Sequence, residues 1–198
     1  MSEFEFVPFK KIPRLFRDCV ITEKIDGTNA VIHISDEMVL TPGSRTRWIS
    51  EAHDNYGFAT WCMDNKEQLL TLGPGLHYGE WWGQGIQRKY GLTEKRFSLF
   101  NVKRWCLNGQ EPKLLSTSTE GVEKKQSVLP PCVGLVPVLY EGEFDSDAVK
   151  YQSQCLQTYG SRAAPGFMDP EGIVVLHTAA GVMFKYTLEG DGHKGVNT

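Results

Sequence analysis

Short runs of β-branched and aromatic residues, bounded by Gly, Pro or Asp, recur along the chain at residues 19–23, 28–34, 76–82, 97–102, 133–140, 172–177 and 182–188. Such runs read as strands. Two stretches carry a helical period instead. Phe58, Trp61, Cys62, Leu69 and Leu72 share one helical face, which predicts one helix through them. After a cap at Asp145 or Ser146, Val149, Gln152, Leu156 and Tyr159 share another face, and Gly160 is placed to stop that helix. Strands interrupted by two helices give an α+β class. The four residues 178–181 join the last two apolar runs, which predicts an antiparallel hairpin. Residues 108–131 are polar, with paired Ser and Thr and three prolines, and read as a loop excursion. No internal repeat is present.

The 198 residues, 40% of them hydrophobic, match the size of one domain with a real core, so residues 1–198 are expected to form a single domain. Lys and Arg number 21 against 24 Asp and Glu, and the net charge of −3 excludes a uniformly basic protein; a nucleic-acid surface must be a local patch. The N-terminal residues have no apolar stretch of signal-peptide length. The apolar run at 133–140 contains Pro137 and falls well short of the roughly 20 residues needed to span a bilayer. Five cysteines, an odd number without a C-x-x-C pair, read as free thiols of a reducing compartment, so a cytoplasmic location is expected and a membrane partner is not. The five histidines show no metal-ligand spacing, and the common phosphate-loop, dinucleotide and nucleophile-elbow motifs are absent.

The chemistry gathers at residues 23–29, where Lys24 ends an apolar strand and Asp26-Gly27 turns the chain into the next one. A lysine becomes a nucleophile once neighbours or burial expose its lone pair. Alone, K-x-D-G reads equally as a surface turn. It is followed in order by Gly43-Ser44-Arg45-Thr46-Arg47, Tyr78-Gly79-Glu80-Trp81-Trp82-Gly83, Phe97-Ser98-Leu99-Phe100-Asn101, Pro170-Glu171-Gly172-Ile173-Val174-Val175 and Met183-Phe184-Lys185-Tyr186-Thr187.

This ordered set resembles the covalent nucleotidyltransferases, the superfamily of ATP-dependent ligases and capping enzymes, and among them most closely the RNA ligases. The resemblance covers nearly the whole chain. It implies an adenylyltransferase domain of largely antiparallel sheets flanked by helices, with the ATP cleft between the sheets. It also implies ATP and a divalent ion, Mg2+ or Mn2+, and RNA ends or a nicked RNA-containing duplex as partner. Lys24 is then the nucleophile that attacks the α-phosphorus of ATP, and Lys185 and Arg45 neutralise the phosphate. Glu171 and Glu80 hold the metal, with Glu80 also on the ribose side. Glu23 lies near adenine, Asn29 near the phosphates, and Phe100 stacks on the base with Phe97 as its alternative; residues three apart on a strand face opposite ways, so one of the two is core. Surface ion pairs are the competing reading of the carboxylates.

Three features depart from the family pattern. Met183 and Thr187 flank Lys185 where a second lysine is frequent, with Lys194 or an N-terminal cation as a substitute; Asn101 replaces a frequent Asp; and the chain stops soon after the last motif, leaving no room for an oligonucleotide-binding barrel. Two other functions therefore stay open: a self-adenylylating nucleotide- or RNA-binding module, and a GTP-dependent capping enzyme. Finally, Arg88, Lys89, Lys95, Arg96, Lys103 and Arg104 face one acid, Glu94, and are interleaved with aromatic residues from Trp81 to Trp105. This stretch suits phosphates and stacked bases, or else a solvated strand face over core aromatics. On the first reading Arg88 and Lys89 bind nucleic acid, and reversing their charge spares lysyl-AMP formation while weakening joining.

Overall fold

A computed structural model describes residues 6–102, 104–106 and 127–189 of the chain. Its elements are β1 (Asp18–Lys24), β2 (Thr28–Ile34), β3 (Leu40–Ser44), α1 (Phe58–Asp64), α2 (Lys66–Leu70), β4 (Gly75–Gly83), β5 (Lys95–Leu99), β6 (Trp105–Cys106), β7 (Ser127–Val128), β8 (Val133–Leu135), β9 (Val138–Glu143), α3 (Ser146–Tyr159), β10 (Gly172–His177) and β11 (Val182–Thr187). One sheet has the order β11-β10-β1-β9 and a second the order β3-β2-β4-β5-β8, while β6 and β7 form a small ribbon. Pairing is antiparallel except between β5 and β8 and between β6 and β7.

Strand alternation decides what each sheet buries. On the four-stranded sheet, Cys19 and Ile21 of β1 pack with Ile173 and Val175 of β10 against Leu156 and Val149 of α3. On the five-stranded sheet, Ala30, Ile32 and Ile34 join Trp81, Phe97 and Leu99 against Phe58 and Cys62 of α1 and Leu69 of α2. Each fully buried Val, Leu, Ile or Phe among them contributes about 1.5–3 kcal/mol. The helices thus cover the two outer faces. The inner faces, carrying Thr22, Lys24 and Val174 on one side and Asn29 and Glu80 on the other, are left to flank a cleft.

The pattern expected from sequence is altered where side chains intervene locally. The helix through Phe58 and Leu72 is two helices, because Asn65 turns its Nδ2 onto the Trp61 carbonyl at 2.9 Å and breaks the run. The strand at 133–140 is divided at Val136-Pro137: β8 joins the five-stranded sheet and β9 the four-stranded one. The strand at 97–102 ends at Leu99. β3 is not among the predicted strands; it lies at the edge of its sheet, where Pro42 is tolerated. In α3 the cap is Asp145, which accepts from the Asp147 N–H at 2.9 Å, and Gly160 ends the helix at φ 78°, but Tyr159 is exposed rather than core. The hairpin of β10 and β11 is present. Of the polar stretch 108–131, residues 108–126 lie outside the described residues, as do Lys103 and Lys194.

Candidate active site

Lys24 is the last residue of β1, and the three residues after it carry the chain from one sheet into the other. Position in the topology therefore puts it where the two inner faces meet. The turn is held from several directions. The Asp26 N–H donates to the Tyr90 hydroxyl at 2.8 Å, and the Gly27 N–H donates to Glu80 Oε1 at 3.1 Å. Gly27 presses so closely on β4 that a Cβ would lie 2.5 Å from the Trp81 carbonyl oxygen and 2.7 Å from the Trp82 Cβ, which explains glycine at this point.

Lys24 Nζ donates to Glu171 Oε2 at 2.5 Å, and both side chains remain partly open to solvent. Glu171 stands just before β10, whose first residue, Gly172, is paired with Lys24 in register. Across the cleft Glu80 is buried; besides the Gly27 N–H it accepts from Asn29 Nδ2 at 3.2 Å. Burial pushes its carboxyl up to about 7, against the opposing pull of Lys24 and the Gly27 N–H.

Lys24, Asn29 and Glu80 line a cavity of about 330 Å3 between the sheets, and Glu171 stands just outside that lining, held to it by Lys24. Thr22, Lys24, Val174 and Lys185 contribute from the four-stranded sheet, and Asn29, Glu80 and Phe100 from the five-stranded one. A larger cavity of about 460 Å3 beside β5 and β8 contains none of the residues Lys24, Glu80 and Glu171. Phe100 lines the cleft, whereas Phe97 is 1% exposed and packs its ring 5.1 Å from that of Phe58 in the outer core. Lys185 lies on exposed β11 opposite Val174, with no ion pair among the described residues.

Three expected site residues are placed differently. Glu23 borders the cavity, but alternation turns its side chain to the face opposite Lys24. There its carboxylate accepts from Ser161 Oγ at 2.5 Å and from the Arg162 and Ala163 N–H groups at 2.7 and 2.9 Å. Its carboxylate anchors the loop after α3. Arg45 is exposed one residue beyond Ser44, the register partner of Ala30, and stands outside the cavity lining. Arg88 is no free cation: its Nε lies 3.2 Å from Asp26 Oδ2, its Nη1 2.6 Å from Asp169 Oδ2 and its Nη2 2.7 Å from Glu189 Oε1. It ties the turn after Lys24 to the segments bearing Glu171 and Lys185. Lys89 is exposed and unpaired among the described residues. The aromatics Trp81, Trp82, Tyr90, Phe97 and Trp105 of that basic stretch are all buried. Sequence reasoning missed Tyr90 and Ser161, because the 64 and 138 positions separating them from Asp26 and Glu23 leave no local pattern.

Among the described residues no three or more His, Cys, Asp or Glu side chains gather into a metal cage. Glu80 on the cleft wall and Glu171 beside Lys24, near enough for its charge to raise the Glu80 carboxyl, instead fit an ion that keeps most of its ligands as water and substrate phosphate, the usual habit of Mg2+.

The raised Glu80 value has a measurable consequence. A carboxyl whose folded value is about 7, against an ordinary 4.5, binds its proton more tightly in the folded state, so stability is lost as pH rises through that interval. Metal-free protein is expected to be less stable at pH 8 than at pH 6, with Glu80 accounting for on the order of 1 kcal/mol of that difference. Urea unfolding of Glu80→Gln should show a much flatter pH dependence; an unchanged dependence removes Glu80 as its source.

The sequence matches the RNA ligase family model over residues 17–187. No curated protein matches it. Among solved structures, a variant of the Naegleria gruberi RNA ligase with ATP and manganese aligns at TM-score 0.56 and 18% identity, covering 87% of this chain and 50% of that one. A second variant with AMP and manganese aligns at TM-score 0.55 and 17% identity over 88% and 51%, and a third without ligand at 0.56 and 18% over 87% and 50%. The chain therefore spans about half the length of the ligases it matches, and shares their fold.

Proposed function

As this chain belongs to the RNA ligase family, we propose that it is the adenylyl-transfer part of an ATP-dependent ligase that joins RNA 5′-phosphate and 3′-hydroxyl ends through a lysyl-AMP intermediate. The observation that carries this reading is Lys24 at the junction of two sheets, paired with Glu171 and facing a cleft that also presents Glu80, Phe100 and Lys185.

The chain's own residues supply most of the reaction. The cleft takes the nucleotide, with Phe100 against adenine and Asn29 and Glu80 toward the ribose and phosphates. Glu171 holds Lys24 by a short hydrogen bond and is the nearest acceptor for the proton that Nζ must lose before it attacks the α-phosphorus. Lys185, in the cavity lining, offers positive charge to the phosphate as pyrophosphate leaves. A divalent ion, Mg2+ or Mn2+, held by Glu171 and Glu80 with the substrate phosphates, would supply further charge neutralisation. AMP then passes from Lys24 to a 5′-phosphate, and the 3′-hydroxyl displaces it. Cys19, Cys62, Cys132 and Cys155 are free thiols, which supports a reducing, cytoplasmic site of action.

The test supplies preadenylylated protein with a 5′-phosphorylated nicked RNA-containing duplex and, separately, with single-stranded RNA. Transfer of AMP to a 5′ end, followed by joining, is the expected result. Stable protein-AMP that never transfers overturns the ligase reading in favour of a self-adenylylating module. The Arg88 ion pairs divide the expectation for the basic stretch. Lys89→Glu should weaken joining more steeply as salt rises, whereas Arg88→Glu should also slow lysyl-AMP formation by loosening the turn after Lys24.

A further inference from the structure

The inner face of the five-stranded sheet continues past the nucleotide cleft. Residues paired in an antiparallel ladder share a face, so the Asn29–Glu80 pair at the cleft is followed by Val31–Tyr78 and then by His33–Leu76. Gly43 of β3 extends the middle row, and beyond it lies Trp48. Tyr78 and Trp48 are each 55% exposed, unlike the buried aromatics of the outer core.

Trp48 is fixed rather than loose. The absence of a Cβ at Gly43 makes room for its ring, since a Cβ there would lie 2.8 Å from Trp48 Cε3, and the His33 ring supports it at 5.8 Å. The adjoining turn is closed by the Ser44 N–H, which donates to the Arg47 carbonyl at 2.8 Å. It presents Arg45 and Arg47, both exposed and neither in an ion pair among the described residues. The acids Asp36 and Glu37 sit in the turn at the other end of β2, away from the cleft. Positive charge therefore lies at the cleft end of the face, beside two exposed aromatic rings.

We infer that this face binds the unpaired bases of a polynucleotide end next to the cleft, with Tyr78 and Trp48 as stacking platforms and Arg47 on a phosphate. Aromatic faces take bases of any identity but only when those bases are not already stacked in a duplex, and unpaired arginines complement the phosphodiester charge. The inference rests on the ligase reading for its biological meaning, and it relocates the nucleic-acid surface from the buried aromatics of residues 81–105.

The test uses the full chain without ATP. A 5′-phosphorylated single-stranded RNA of about ten nucleotides is titrated while tryptophan fluorescence and the anisotropy of a labelled RNA are followed. Trp48→Ala and Tyr78→Ala should each weaken binding on the order of tenfold at every salt concentration, with Trp48→Phe close to wild type. Arg47→Ala should instead flatten the log Kd against log salt line by about 0.7. A blunt duplex should bind with no loss in the aromatic variants. Thermal unfolding identifies a variant that fails to fold, and the other aromatic variant then carries the comparison. Equal Kd values for wild type and a folded aromatic variant overturn the inference, as does a concentration-dependent dimer that shields Trp48 from a soluble quencher without RNA. Failure of the ligase reading is separate: it appears as wild-type protein that takes no label from ATP, and the Kd comparison stands independently of it.

Discussion

Protein incubated with α-labelled ATP and Mg2+ or Mn2+ is expected to carry a covalent label through denaturing electrophoresis, and Lys24→Ala to carry none. The loss should be complete because, among the described residues, no other amine stands at the junction of the sheets: Lys185, the other lysine of the cavity lining, lies on exposed β11 and is assigned to the phosphate. Lys24→Arg should be as inactive, since a guanidinium has no lone pair to offer at any working pH. ATP should label far better than GTP. Label surviving in Lys24→Ala removes the nucleophile assignment, and label from GTP alone would promote the capping reading.

Glu171→Ala should slow lysyl-AMP formation by at least about a hundredfold, the usual consequence of deleting one electrostatic partner of a reacting group. The carboxylate holds Nζ by the 2.5 Å hydrogen bond, so its removal leaves Lys24 unplaced and takes one carboxylate from the proposed metal site. The thermal midpoint should barely move, because an ion pair this open to solvent contributes about 0–1 kcal/mol. Glu171→Gln separates charge from hydrogen bonding: it keeps an acceptor for Nζ, and it should remain slow with a raised requirement for divalent ion. Wild-type rates in Glu171→Ala at limiting Mg2+ would make this carboxylate structural. A large fall in midpoint would do the same.

Local chemistry made part of this site legible. A strand-ending lysine before Asp-Gly, a carboxylate opening the apolar run at 172–177, and an aromatic at the end of the run beginning at Phe97 can all be found by reading along the chain. The two-residue alternation of strands also separates Phe97 from Phe100 before any coordinates are consulted. Helix α3 was readable because its cap, its period and its terminating glycine lie within one segment.

What only the tertiary structure decided are the relations between segments. The face on which Glu23 lies follows from alternation about Lys24, but its carboxylate finds Ser161 and the Arg162 and Ala163 N–H groups only because the loop after α3 returns beneath β1. Arg88 had the composition of a phosphate contact and became a staple between Asp26, Asp169 and Glu189, partners 62 to 101 positions away. The apolar run at 133–140 looked like one strand, yet its halves pair with β5 and β1 in different sheets. Periodicity and turn chemistry are fixed by neighbours a few residues apart, so the sequence by itself determined most of the strands, the Lys24–Gly27 turn and the candidate carboxylates. Partner choice among charges and strand edges depends on which surfaces the packed sheets bring together, and that is set by the whole fold.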